Sequence, residues 1–295
     1  MSPALSHLSI VARLRAVGCV FAEDEARLLL SSAATPADLA AMVDRRVAGL
    51  PLEQVLGWAE FAGLRIAVLP GVFVPRRRTE FLATQATALA RAFVARAAPP
   101  ASGSGVATAP AGPTARVAGR PVVVDLCCGS GAVGTALVTA LPGVELHAAD
   151  IEPAAVRCAR RNLGPAGEVH EGDLYAALPG TLRGRIDVLV CNAPYVPTGE
   201  IGLLPPEARL HEPHVTLDGG LDGLDVQRRV AAGAGEWLAP GGHLLVETSS
   251  DQAPGTLALF ADAGLVARVA TCEELSATVV IGTRPRSDEN PRKII

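Results

Sequence analysis

The spacing of hydrophobic positions changes several times along this chain, and the changes divide it. Over residues 1–50 the apolar positions keep a helical spacing. Leu8, Val11, Leu14 and Val17 fall on one face, and Ala22 to Leu30 opens with acids and closes with leucines, the order a helix dipole favours. Thr35-Pro36-Ala37-Asp38 is a helix start, with Thr35 as N-cap, Pro36 at the first helical position and Asp38 as the capping-box acid. That helix runs through Leu39, Met42 and Val43 to Gly49. The spacing over 1–50 therefore predicts a small helical domain. From Gln54 to Val68 the pattern becomes two short strands around a Gly turn, followed by Val72-Phe73-Val74-Pro75. Arg76-Arg77-Arg78-Thr79-Glu80 then opens a helix that reaches Ala97, so 51–98 is a hairpin-and-helix connector. Residues 99–120 are almost all Ala, Gly, Pro, Ser and Thr without periodicity, which predicts a flexible linker.

From residue 121 apolar strand runs alternate with helical stretches, the signature of an α/β domain over 121–285 with a largely parallel sheet. Strands are expected at Pro121–Asp125, Val144–Asp150, Val169–Leu174 and Ile186–Val190, separated by helices at Ala132–Leu137 and Pro153–Leu163. After a Gly- and Pro-rich loop over Pro205–Asp225 come a helix to Trp237, a strand at Gly241–Glu247 and a helix at Pro254–Ala263. A finishing antiparallel pair follows at Leu265–Val269 and Thr278–Gly282. The polar tail, 286–295, is expected to be disordered.

Chemistry collects where these strands end. In open α/β sheets ligands bind at the carboxyl edge. Asp125 closes the first strand and leads through Cys127, Cys128, Gly129, Ser130 and Gly131 into a helix. This is the strand–turn–helix setting in which glycines let a ligand approach the backbone and the helix supplies N–H groups. Asp150 ends the next strand 19 positions after Gly131, placed to accept from ribose hydroxyls. Asp173-Leu174 stands at the third tip, where it could meet an adenine amino group. Ile186–Val190 feeds Asn192-Ala193-Pro194-Tyr195, a set with amide donors and acceptors, a restrained backbone and a flat ring, suited to grip a planar amide-like group.

Composition narrows the classes. The net charge of −4 provides no overall basic field for nucleic acid, although residues 1–100 carry 11 Arg against 8 acidic residues. The six cysteines form no CxxC pair, His211 and His214 lack a third ligand in their loop, and no metal site is expected. No secretory signal and no apolar run of about 18–20 residues is present, so a cytoplasmic protein is expected. The triple Arg reads as a solvated cluster or as contact with an anionic group.

The order of these motifs resembles class I S-adenosylmethionine-dependent methyltransferases. Asn192-Ala193-Pro194-Tyr195 resembles the N/D-P-P-Y motif of enzymes that methylate planar nitrogens. Pro51–Gly57, Glu60–Leu64, Pro70–Arg76, His211-Glu212-Pro213 and Leu217–Asp225 are similar to the protein-(glutamine-N5) methyltransferases of the release-factor-modifying PrmC/HemK type. The resemblance covers roughly residues 50–285. It implies a Rossmann-like, mostly parallel seven-stranded sheet behind a small N-terminal helical domain, with S-adenosylmethionine as cofactor and S-adenosylhomocysteine as product. Asp125, Cys127, Cys128, Gly129, Ser130, Gly131, Asp150, Asp173, Leu174 and Asn192 would hold the cofactor. Asn192, Ala193, Pro194 and Tyr195 would carry the transfer, the Asn192 side-chain oxygen and Ala193 carbonyl accepting the two amide N–H groups. Phe73, Arg76 and Glu80 would face the substrate, a release-factor-like protein docked on the helical domain.

Three positions depart from the pattern: Ala193 replaces the first Pro of the motif, Cys127 a leading Gly, and Arg77-Arg78 the Pro-Glu of Pro-Arg-Pro-Glu-Thr-Glu. They suggest a side branch of unassigned substrate. The alternatives are N-methylation of a peptide or small metabolite, then adenine methylation of DNA, then a binding module without turnover.

Overall fold

The structure, a computed structural model, describes residues 5–97 and 119–286. The expected linker and tail lie almost wholly outside the described residues. The chain opens with three helices, α1 (His7–Ala16), α2 (Ala22–Ser32) and α3 (Pro36–Val47). Thr35 caps α3 as its sequence suggests, its Oγ1 accepting from the Asp38 amide at 3.1 Å. The buried face of α1 is Ile10, Val11 and Leu14, whereas Leu8 and Val17 are exposed. A strict three-residue step drifts around a 3.6-residue helix, so the 8–11–14–17 stripe could not remain on one side.

A short helix, α4 (Leu52–Leu56), occupies positions expected to begin a strand. The left-handed Gly57 ends it (φ 79°). The antiparallel hairpin β1 (Trp58–Phe61) and β2 (Leu64–Ala67) follows, then the long helix α5 (Glu80–Ala97). In order come β3 (Val122–Leu126), α6 (Ala132–Ala140), β4 (Glu145–Asp150), α7 (Pro153–Leu163), β5 (Glu168–Glu171) and β6 (Ile186–Cys191). The stretch expected as loop after residue 205 contains the short helix α8 (Pro206–His211). The chain finishes with α9 (Asp225–Trp237), β7 (Leu238–Thr248), α10 (Ala253–Asp262), β8 (Val266–Cys272) and β9 (Ala277–Thr283).

The seven-stranded sheet has the order β5-β4-β3-β6-β7-β9-β8. Strands β3 to β7 are parallel, and β9 pairs antiparallel with β7 and β8. β3 and β6 are buried at every position, as apolar runs covered on both faces must be. One face packs on α5, α6 and α7, with Phe61 and Ile66 of the hairpin joining that layer. The other packs on α9, α10 and the segment around Leu174, Leu178 and Leu182. From β3 the chain crosses to β4 on one side and later returns to β6 on the other. The loops after β3 and β6 therefore part at the sheet centre and leave a crevice between them.

Candidate active site

That crevice is a cleft of about 490 Å³, within the range of small-molecule sites. It is walled by the tips of β3, β4, β5 and β6, by residues 73–79 and by the α8 region. It gathers Asp125, Cys127, Cys128, Gly129, Ser130, Asp150, Asp173, Leu174, Asn192, Ala193, Pro194, Tyr195, Phe73 and Arg76.

The loop after β3 is braced from beneath. Asp125 is buried, and its Oδ2 accepts from the Gly134 amide at 3.0 Å. Burial pushes its carboxyl up to about 7, against the pull of that amide. Asp150 accepts from the amides of Gly129 (2.8 Å) and Glu152 (2.9 Å), one on each oxygen. Burial also raises its pKa. Cys127 holds a left-handed conformation (φ 55°), which explains why a glycine would suit that position. Its Sγ lies 3.8 Å from that of Cys191, and burial with this contact keeps the Cys127 thiol protonated. Gly131 is left-handed (φ 76°), and a Cβ there would come within 3.0 Å of Ala159. A Cβ on Gly129 would meet only open space, so the loop presents bare backbone. Asn162 secures the outer side, donating to the Ser130 carbonyl at 2.8 Å and bonding both backbone groups of Ala67.

Asp173 lines the third tip, and its Oδ2 accepts from Arg229 at 2.6 Å, a partner the sequence did not suggest. Leu174 beside it adopts φ 48° and is buried. A Gly-rich loop, three strand-end carboxylates and an apolar floor form a donor set that fits an adenosyl group bearing a cationic amino-acid end. Asp125 and Asp150 are buried carboxylates at the tips of β3 and β4 that line this end of the cleft.

The other end of the cleft is held by contacts distant in sequence. Asn192, which lines the cleft, donates through Nδ2 to the Thr79 hydroxyl at 3.3 Å, so its Oδ1 takes no part in that bond. The Tyr195 hydroxyl donates to Glu247 Oε1 at 3.4 Å, and Arg78 Nε donates to the same oxygen at 3.3 Å. Burial, and then the Glu247 charge, push the Tyr195 hydroxyl up to about 12, so it stays a donor. Glu247 is itself raised by burial, opposed by Thr79, Arg78 and Tyr195. Arg76 Nη2 donates to both oxygens of the buried Glu212 at 2.6 and 2.7 Å, and lies 4.9 Å over the Phe73 ring. Gln252 Nε2 donates to the Tyr195 carbonyl at 2.9 Å. A Cβ on Gly219 would stand 2.8 Å from the Tyr195 Cα, so only glycine permits this packing.

Three expectations change, the first at Gly131, which does not itself line the cleft but packs against Ala159 behind it. Glu80 does not line the cleft: its Oε1 accepts from the Ala62 amide at 3.0 Å and caps the hairpin turn. The triple Arg is not simply a solvated cluster, since Arg76 and Arg78 pair with Glu212 and Glu247, although Arg78 like Arg77 remains exposed. Thr79, Arg78, Glu247, Glu212 and Arg229 carried no signal by themselves, although the first four lie inside or beside quoted motifs.

The methyltransferase small domain family matches residues 114–203. The chain is 35% identical over 235 residues to a release factor glutamine methyltransferase of Geobacter sulfurreducens, covering 78% of this chain and 72% of that protein. A protein of the same name from Bradyrhizobium diazoefficiens is 32% identical over 277 residues, covering 88% and 86%. A 4-amino-L-phenylalanine/4-methylamino-L-phenylalanine methyltransferase of Streptomyces pristinaespiralis is 36% identical over 223 residues, covering 75% and 69%.

Proposed function

The chain belongs to the release factor glutamine methyltransferase family of S-adenosylmethionine-dependent enzymes, and we propose that its acceptor is the side-chain amide nitrogen of a glutamine in a release-factor-like protein. The observation that carries this reading is the orientation of Asn192. With its Nδ2 bound to Thr79, its Oδ1 is left to accept an N–H from a planar amide. The Ala193 carbonyl takes the second N–H, and Pro194 and Tyr195 pack on the amide plane.

An amide nitrogen is a weak nucleophile because its lone pair is shared with the carbonyl. Two acceptors on its hydrogens raise its electron density as positive charge develops, and they fix its direction of approach. S-adenosylmethionine, when bound, supplies an activated methyl on sulfur. Gly129 and Ser130 would approach it with backbone, with Gly131 shaping their turn, while Asp150 would accept from its ribose, Asp173 and Leu174 would meet its adenine, and Asp125 would face its amino-acid end. No general base stands beside Asn192 in this scheme, and the proton leaves to water after transfer.

The helical domain is the docking surface in this reading. Leu8, Val17, Val20 and Phe21 are exposed on it. Arg46, which pairs with Glu25, also bridges to Glu207 at the cleft rim at 2.7 Å. The negative charge argues against nucleic acid as the acceptor, and six free cysteines suit a reducing cytoplasm.

The test is incubation with S-adenosylmethionine and release factors, followed by mass spectrometry of the peptide containing Gly-Gly-Gln. One added methyl on the glutamine, absent with Asn192→Ala, is the expected result. The relative that methylates an aromatic amine supports a second reading, a free amino-acid amine as acceptor. Methylation of 4-amino-L-phenylalanine with an unmodified release factor would overturn the first reading in favour of the second.

A further inference from the structure

We infer that His147, Glu168 and His170 form a binding site for a zinc-class divalent cation at the edge of the sheet, separate from the cleft. β5 is the edge strand. Its parallel register sets Glu168 opposite His147 and His170 opposite Ala149, so the pleat puts His147, Glu168 and His170 on one face. One ligand atom from each lies within 4.8 Å of the others. His147 Nδ1 is 3.1 Å from His170 Nε2 and 3.7 Å from Glu168 Oε2, and the two rings are within 18° of parallel. Two imidazole nitrogens on one tetrahedral zinc stand about 3.4 Å apart, given zinc–nitrogen bonds of about 2.05 Å. The two nitrogens now share a hydrogen bond with the ring centroids 5.3 Å apart, and a cation would take the place of that shared proton, the half-buried His170 ring turning to aim its lone pair at it.

The far side of His147 supports the assignment. Its Nε2 is buried and faces Glu145 Oε1 at 3.5 Å without completing a hydrogen bond. A ligating histidine commonly turns its second nitrogen to a carboxylate, which fixes the tautomer. With the proton on Nε2, the Nδ1 lone pair points toward His170. Two neutral imidazoles and one carboxylate select zinc, cobalt, nickel or copper over magnesium or calcium. Glu168 is the exposed member, its side chain 72% accessible, and leaves an open position for water. None of the three residues lines the cleft. The cation would clip β5, which ends two residues before Asp173, to β4, which ends at Asp150. It stabilises the edge of the sheet and takes no part in transfer.

The experiment uses the full chain, stripped with a chelator and titrated with zinc chloride alone. One equivalent should bind with micromolar affinity, and the melting temperature should rise by about 5–10 °C at zinc concentrations near one hundred times Kd. His170→Ala and Glu168→Gln remove ligands from the rim, so the metal-free variants should melt close to the parent. Each should weaken zinc binding at least tenfold. Cobalt should give a visible absorption band that His170→Ala removes. The inference is overturned if zinc does not bind below 100 µM, if His170→Ala binds it unchanged, or if Cys127→Ser abolishes binding while His170→Ala does not.

Discussion

Thr79→Val separates the orientation of Asn192 from its presence. Valine keeps the shape of this buried side chain but removes the acceptor for Asn192 Nδ2. The Asn192 amide is then free to turn over and present N–H groups in place of Oδ1. A neutral hydrogen bond is worth about 0.5–1.5 kcal/mol net, so kcat should fall about 2- to 13-fold. Asn192→Ala removes the acceptor altogether, and loss of one preorganised electrostatic partner costs about 10²–10³ in kcat. Thr79→Ser retains the hydroxyl and should stay near the parent. The decisive variant is the pair: Thr79→Val in an Asn192→Ala background should cost clearly less than it does in the parent, the remainder coming from the Thr79 contact with Glu247, which holds the Tyr195 hydroxyl. The assay is steady-state methyl transfer with kcat and the KM for S-adenosylmethionine determined separately, the KM staying within about threefold throughout. A Thr79→Val loss that multiplies fully into Asn192→Ala, or a kcat for Thr79→Val within twofold of the parent, refutes the argument.

Three further outcomes are expected. Arg76→Met leaves the buried Glu212 carboxylate without its cation, which should cost about 3 kcal/mol and show in urea unfolding, whereas the double change with Glu212→Leu should recover much of it. Asp125 has a folded-state pKa of about 7 against an ordinary 3.8, so above pH 4 the folded protein holds a proton that the unfolded chain has lost. Its contribution favours folding least above pH 7, and stability should decline from pH 4 to 7 by at most about 4 kcal/mol from this group. Asp125→Asn should flatten that decline in thermal melts of the cofactor-free protein, and an unaltered pH profile would contradict it. Gly131→Ala sets a Cβ 3.0 Å from Ala159 at φ 76° and should cost about 2 kcal/mol by thermal melting. It should also weaken S-adenosylmethionine binding about tenfold by calorimetry.

Most of the parallel domain was legible because its signals are local. β3 and β6 are apolar runs stopped by an acid or by Asn and Pro, and α9 was bounded by Asp225 and Trp237 as found. Periodicity failed where burial was decided by partners. The face of α1 was set by α2 and α3, which made Ile10 rather than Leu8 the buried residue. α4 and α8 are each about one and a half turns, too short for a period to register. The strand-tip carboxylates were visible, but their partners were not. Arg229 reaches Asp173 from 56 residues away, and nothing in a single helix predicts such a reach.

The acceptor end of the cleft makes the same point more sharply and explains the departures in its motif. Thr79 meets Asn192 across 113 residues, Arg76 meets Glu212 across 136, and Arg78 meets Glu247 across 169. Residues 75–80 therefore act as a strap that fixes three segments from the second half of the chain. In the pattern Pro-Arg-Pro-Glu-Thr-Glu this chain keeps Pro75, and with it Arg76, Thr79 and Glu80. The last three are the residues that hold Glu212, Asn192 and the Ala62 amide. It changes Arg77, which faces solvent, and Arg78, which lies 5.7 Å over the Tyr195 ring and pairs with Glu247. Of the retained positions Thr79 bonds Asn192 directly, while Arg76 and Glu80 anchor the strap to Glu212 and to the hairpin turn. Of the changed positions Arg78 lines the cleft beside the Tyr195 ring, so a substitution there alters the cleft wall while the Thr79–Asn192 bond is preserved.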